Sequence, residues 1–197
     1  MLAPDRRLPQ HARGAVGVGG GIDLRWRSWR WWGNGLMRSL LAFLLCAVVI
    51  WGLSSRYRLW TDPIVGEHSL RFHWYLVDLS DLGVGRGDYV VFRSKGTEPF
   101  YPEGTRMLKR VVGVAGDHVV VNDQGVFVNG VSFGTLLHAQ PGGRLWRSGQ
   151  GVEHFVRDEF IPLGRWWVMG THPRSFDSRY WGYISTGQIV GRAWPLW

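Results

Sequence analysis

Residues 39–55, SLLAFLLCAVVIWGLSS, form an uncharged, mostly apolar run bracketed by Arg38 and Arg56. At 1.5 Å per residue the run spans ~26 Å as a helix, the short end of what crosses a bilayer. A buried core helix would account for it less well, because uncharged runs of this length are uncommon in soluble cores. A cleaved signal peptide fits less well too. The basic stretch before the run is longer than an ordinary n-region, and no clear small-x-small cleavage site is present. The expectation is an uncleaved signal anchor over residues 37–55, which divides the chain into a short N-terminal tail and a domain beginning near residue 61.

Charge orients that anchor. Arg6, Arg7, Arg13, Arg25, Arg27, Arg30 and Arg38 precede the run, and only Arg56 and Arg58 follow closely. The positive-inside rule puts residues 1–36 in the cytoplasm and the domain on the far side of the membrane. Within the tail, RWRSWRWW over 25–32 has the composition of an interfacial stretch, with arginines for lipid phosphates and tryptophans for the headgroup layer. A net charge of +8 also suits nucleic acid. No compact DNA-binding motif accompanies it, so membrane lipid is the expected partner and nucleic acid is not. The single cysteine, Cys46, lies in the apolar run and excludes an internal disulfide.

From residue 61 the pattern becomes β-rich. Short runs of Val, Phe, Tyr and Trp predict strands over Tyr89–Arg93, Met107–Val112, His118–Val121, Gly125–Asn129, Arg165–Met169 and Gln188–Trp194. Turn signals separate them at Gly85–Asp88, Gly116–Asp117, Asn122–Gly125, Asn129–Gly130 and Gly142–Gly143. Residues 134–164 are rich in Gly, Arg and His with weak periodicity, as in an insertion or lid. No long amphipathic helix and no internal repeat is apparent.

Only two residues are lysines, Lys95 and Lys109, in a chain that otherwise uses arginine. A lysine can lose its proton when desolvated and act as a base, whereas arginine stays charged. Lys109 sits in MLKRVVGVAGD, where strand alternation puts Lys109, Val111 and Gly113 on one face. Taken alone, an edge-strand lysine reaching for water explains it better. A second element is GTHPRSFDSRYWG over 170–182, which crowds Ser175, Asp177, Ser178 and Arg179 into one tight loop. No HExxH and no Cys/His cluster is present, so neither a metal nor another cofactor is expected.

MLKRVVGVAGD followed by SFDSRYWG resembles the bacterial type I signal peptidases, serine proteases with a Ser–Lys dyad. GDYVVF, GVFVNG and FIPLGRWWVMG extend the similarity over roughly residues 64–192. The resemblance implies a mainly β, signal-peptidase/LexA-like catalytic domain behind one transmembrane helix. It also implies residue roles. Lys109 is the general base, Ser175 orients it, and Arg110, Asp177 and Arg179 form a supporting ion-pair cluster. The nucleophile falls shortly after the anchor, which selects Ser69 in EHSLRFHWYL; Leu70 follows it, and Glu67 occupies the place of a second serine. Ser69-Leu70 with Tyr75-Leu76-Val77 is more similar to the TraF-type peptidases of conjugative-transfer systems. Their usual Pro and Gly are replaced by Arg71 and His73.

What this implies is a single-pass enzyme of the bacterial inner membrane, with an extracytoplasmic domain that cleaves exported precursors. A TraF-like member would process a propilin and join its ends. A housekeeping signal peptidase, a soluble LexA-like autoprotease and an inactive membrane-anchored scaffold share parts of the pattern. Ser54, Ser55 and Ser80 are rival nucleophiles, and His68, His73 and His172 rival bases.

Overall fold

The computed structural model describes residues 24–61 and 70–196, with side chains from residue 35 onward. The tail before residue 24, the side chains of RWRSWRWW, and Ser69 with its neighbours Glu67 and His68 lie outside the described residues. Residues up to Val48 and residues from Val49 onward form two units.

Helix α1 runs over Leu24–Arg56 and begins well before the expected boundary at residue 37. Its segment Gly35–Arg56 has mean hydropathy 2.2 and is long and apolar enough to cross a membrane. Its large apolar side chains from Leu36 to Leu53 are exposed all round. That distribution suits lipid, where a helix satisfies its backbone internally and needs no polar face. Near the C-terminal end, Ser54 and Ser55 donate their hydroxyls to the carbonyls of Trp51 and Gly52, at 3.0 and 2.8 Å. These back-bonds hide the hydroxyl groups against the helix. They also occupy two of the rival nucleophiles.

The chain passes directly from Arg56 into β1 (Tyr57–Thr61). Strands β2 (Trp74–Asp78), β3 (Tyr89–Arg93), β4 (Arg106–Gly113), β9 (Arg165–Met169), β10 (Ile184–Ser185) and β11 (Ile189–Pro195) complete a seven-stranded sheet. Its order is β1-β2-β11-β3-β4-β9-β10. A second, four-stranded sheet has the order β7-β6-β5-β8, from β5 (His118–Asn122), β6 (Gly125–Val128), β7 (Val131–Ser132) and β8 (Arg157–Phe160). All pairings are antiparallel. The C-terminal strand β11 therefore lies between β2 and β3. It fits there because Gly191 has no side chain: a Cβ would stand 2.4 Å from the Asp78 carbonyl oxygen. A register shift follows at the same point, between Ile189 and Gly191.

All six expected strands are present, within a residue or two at their ends. Among the described residues the domain carries two short α-helices, α2 (Arg144–Arg147) and α3 (Ser178–Trp181), and two single 3-10 turns. The stretch 134–164 is tied into the core rather than laid over it. Leu136, Ala139, Leu145, Phe155 and Ile161 are buried with Val119, Val121, Val126 and Trp167, and β8 pairs with β5.

The start of the sheet is fixed electrostatically. The Arg56 guanidinium donates to Asp78 Oδ2 at 2.9 and 2.6 Å. Asp78 Oδ1 accepts from the Ser80 N–H and hydroxyl at 2.8 and 2.6 Å. These bonds hold the Asp78 carboxyl well below the usual carboxylate range, Arg56 contributing most. Ser80 is thus the third residue of an Asx-type turn, beside an ionised carboxylate too weakly basic to activate it.

Candidate active site

Lys109 is 2% exposed, the one lysine among the fully buried side chains. Its position on β4 explains this. β4 lies between β3 and β9, and Lys109 is directly opposite Val90. Met107 and Val111 share its face by the period-two rule and pack with Val90, Phe92 and Val168. The expected partition of β4 holds up to Val111, after which a register shift intervenes before Gly113. The alternative of an edge-strand lysine reaching water does not apply, since β4 is interior.

β9 runs beside β4, with Met169 opposite Arg110, and delivers the chain into the loop 170–177. That loop is closed at its base: Asp177 Oδ2 accepts from the Gly170 N–H at 2.9 Å. Ser175 sits inside it, 3% exposed. Its N–H donates to the His172 carbonyl at 3.0 Å, and its Oγ is buried without a hydrogen-bond partner. A buried hydroxyl left open in this way costs stability. Ser178, by contrast, is satisfied structurally: its Oγ accepts from the Val168 N–H at 2.9 Å.

Asp177 and Arg179 form a buried ion pair, 2.7 Å from Arg179 Nη2 to Asp177 Oδ2, with side chains 0% and 1% exposed. Nε adds a 2.7 Å bond to Oδ1. The remaining guanidinium N–H groups reach carbonyls of Thr135, Pro173, His172 and Ser175. Burial works against the Arg179 charge, but Asp177 outweighs it and raises the guanidinium above its ordinary value. The pair holds the turn into α3 and clamps the loop that carries Ser175. Arg110 does not join it. One residue from Lys109 on the strand, it points the other way, is exposed, and donates from Nε to the Gly87 carbonyl at 3.1 Å. The expected three-residue cluster is therefore a pair.

His73 is exposed and His172 partly so, with Nδ1 accepting from the Arg174 N–H at 3.2 Å. His138, which the sequence did not single out, is the buried histidine among the described residues. Its Nε2 lies 2.8 Å from the Arg174 carbonyl, an acceptor only, so Nε2 carries the proton. Burial pushes its pKa down, and the nearby Arg144 and Arg179 charges add to this. Its backbone N–H donates to Tyr180 Oη at 3.1 Å, while burial raises that phenol to about 12. Among the described residues no three His, Cys, Asp or Glu side chains converge as a metal-holding group.

The strand that carries the buried Lys109 thus pairs with the strand that leads into the Ser175 loop. The family model for signal peptidase, peptidase S26, matches residues 36–197. The chain belongs to this signal peptidase family. Signal peptidase I of Leptolyngbya laminosa is 32% identical over 119 residues, 56% of this chain and 53% of that protein. Signal peptidase I of Bacillus caldolyticus is 26% identical over 186 residues, 88% of this chain and 93% of that protein. Plasmid transfer protein TraF of Escherichia coli is 33% identical over 86 residues, 43% of this chain and 46% of that protein. The chain spans about half the length of the first curated relatives it matches, 53% and 49%.

Proposed function

We propose that this chain is a membrane-anchored serine endopeptidase that cleaves exported precursor proteins, with Ser69 as nucleophile and Lys109 as general base. The burial of Lys109 on an interior strand carries the reading, because desolvation disfavours the ammonium form and prepares a lysine to accept a proton. Family membership supports it.

In the proposed reaction Lys109 Nζ takes the proton of Ser69 Oγ as that oxygen attacks the scissile carbonyl. The oxyanion is met by the Ser69 backbone N–H and a second donor. Lys109 then returns the proton to the departing amine, leaving an acyl-enzyme. Water, deprotonated by the same lysine, releases the product. In the reaction Ser175 Oγ, unpaired in this structure, accepts from Lys109 Nζ and holds it in line, and the Asp177–Arg179 pair holds the loop that carries Ser175. Ser69→Ala is expected to reduce precursor cleavage to background with unchanged thermal stability. Retained turnover in that variant would remove Ser69 from the mechanism.

A narrower substrate is a propilin, cleaved and joined end to end when its own amine replaces water. Its support is the TraF match and the Ser69-Leu70 context without a serine at 67. The broader one is the set of precursors served by a housekeeping signal peptidase, supported by the Leptolyngbya and Bacillus relatives. In either case the anchor lies in the bacterial inner membrane, with residues 1–36 cytoplasmic and the sheets on the far side. A reporter fused after residue 197 is expected to be exported and one fused at residue 36 to remain inside. The reverse pattern would invert the topology.

A further inference from the structure

A cavity of about 520 Å³ opens beside Ser175, between the loop 170–177 and the segment 137–147. Among the described residues its charged lining is of one sign. Arg144 and Arg147 contribute guanidinium groups, and no Asp or Glu is among its described lining residues. Tyr101 and Phe176 supply an aromatic wall, and Ser175 lies in the same lining.

This basic wall is built rather than incidental. Arg144 and Arg147 are the first and last residues of α2, three apart and hence on one side of it. Leu145, between them, is 3% exposed and fixed in the core. The N–H groups of Leu145 and Trp146 both donate to the His138 carbonyl, at 2.9 and 3.1 Å. The turn that precedes them must be glycine: a Cβ on Gly143 would stand 2.3 Å from that same carbonyl oxygen. Arg144 stacks its guanidinium over the Phe100 ring, 5.0 Å from the centroid, which orients the plane and leaves its N–H edge for an acceptor. Neither Arg144 nor Arg147 has a carboxylate partner among the described residues.

We infer that this cavity is a substrate subsite for a carboxylate, so that preferred precursors carry an Asp or Glu near the scissile bond. The inference rests on the peptidase reading above. A carboxylate fits the donors present, since arginine offers it a planar pair of N–H groups. Ser175 ties the subsite to the bond being cut: the residue lines the cavity and, in the peptidase reading, orients Lys109. A lipid phosphate would satisfy the same arginines, but the position of the cavity beside Ser175 favours the peptide.

The test uses the full chain in detergent and a cleavable peptide with small residues before the bond. A single Asp is moved through the flanking positions and compared at each with Asn. At one position the Asp peptide is expected to have kcat/KM about tenfold higher, mainly through KM, with the advantage shrinking as salt rises. In Arg144→Glu/Arg147→Glu the Asp/Asn ratio should fall below one. Arg144→Gln/Arg147→Gln, a milder change, should bring it to unity. Because each ratio is taken within one variant, a general loss of activity cancels. Equal rates for Asp and Asn at every position in the wild type would overturn the inference. So would an unchanged ratio in both variants together with weakened binding to phosphatidylglycerol vesicles, which would assign the cavity to lipid. Peptide binding to Ser69→Ala, followed by fluorescence anisotropy, separates the two proposals. An Asp preference there without wild-type cleavage would keep the subsite and reject the peptidase. Cleavage without the preference would do the opposite.

Discussion

Lys109→Arg is expected to lose peptide cleavage as completely as Lys109→Ala, a fall on the order of 10⁴-fold in kcat. Arginine is close in size and keeps the positive charge, so a role confined to charge or packing would survive the change. A general base would not, because the guanidinium cannot release its proton under working conditions. The wild-type rate should also depend on pH in a defined direction. Neutral lysine is the active form, so the rate climbs as pH rises through the apparent pKa of Lys109. Its midpoint is expected below the ~10.4 of free lysine, because the side chain is 2% exposed among Met107, Val111 and Val90. Ser175→Ala should lower kcat without abolishing it, since the hydroxyl positions the base and does not replace it. Appreciable turnover by Lys109→Arg would move the search for the base to the histidines at 68, 73 and 172.

Asp177→Ala is expected to destabilise the domain by about 3–5 kcal/mol, because it leaves the buried Arg179 guanidinium without its counter-charge. The Gly170 and Arg179 N–H groups lose an acceptor in the same step. Asp177→Asn keeps an acceptor but not the charge and should cost less. Chemical unfolding of the wild type and both variants orders the three. The loop 170–177 is closed by the same carboxylate, so activity should fall with stability in Asp177→Ala. Unchanged stability would mean that the Arg179 charge is compensated by its four carbonyl contacts alone.

How much of this was legible in the sequence depended on the range of the interactions involved. Strands with apolar alternation or a continuous apolar run, such as Tyr89–Arg93 and Arg165–Met169, could be placed within a residue or two. β8 could not: Arg157-Asp158-Glu159-Phe160 is mostly charged, and only its pairing with β5 makes it a strand. In 134–164 the core residues Leu136, Leu145 and Phe155 are spaced by Gly and Arg with no period, so burial was invisible locally. Arg110 was grouped with Asp177 by family pattern, but the strand pleat sends it away from Lys109 to the Gly87 carbonyl. His138 is buried by Phe176 and Tyr180, some forty residues further along the chain, and nothing in its own neighbourhood announces that. The scarcity of lysine was the informative signal: in an arginine-rich chain, one of two lysines is the residue on the interior strand.

The central claim is that Ser69 is made nucleophilic by Lys109. The most direct measurement is covalent labelling of the full chain in detergent with a serine-acylating probe, followed by peptide mass spectrometry to locate the adduct. The prediction is a single adduct on Ser69 in the wild type, appearing faster as pH rises, and none above background in Lys109→Arg. An adduct on Ser80 or Ser175 in place of Ser69, or equal labelling of Ser69 with arginine at 109, would contradict it.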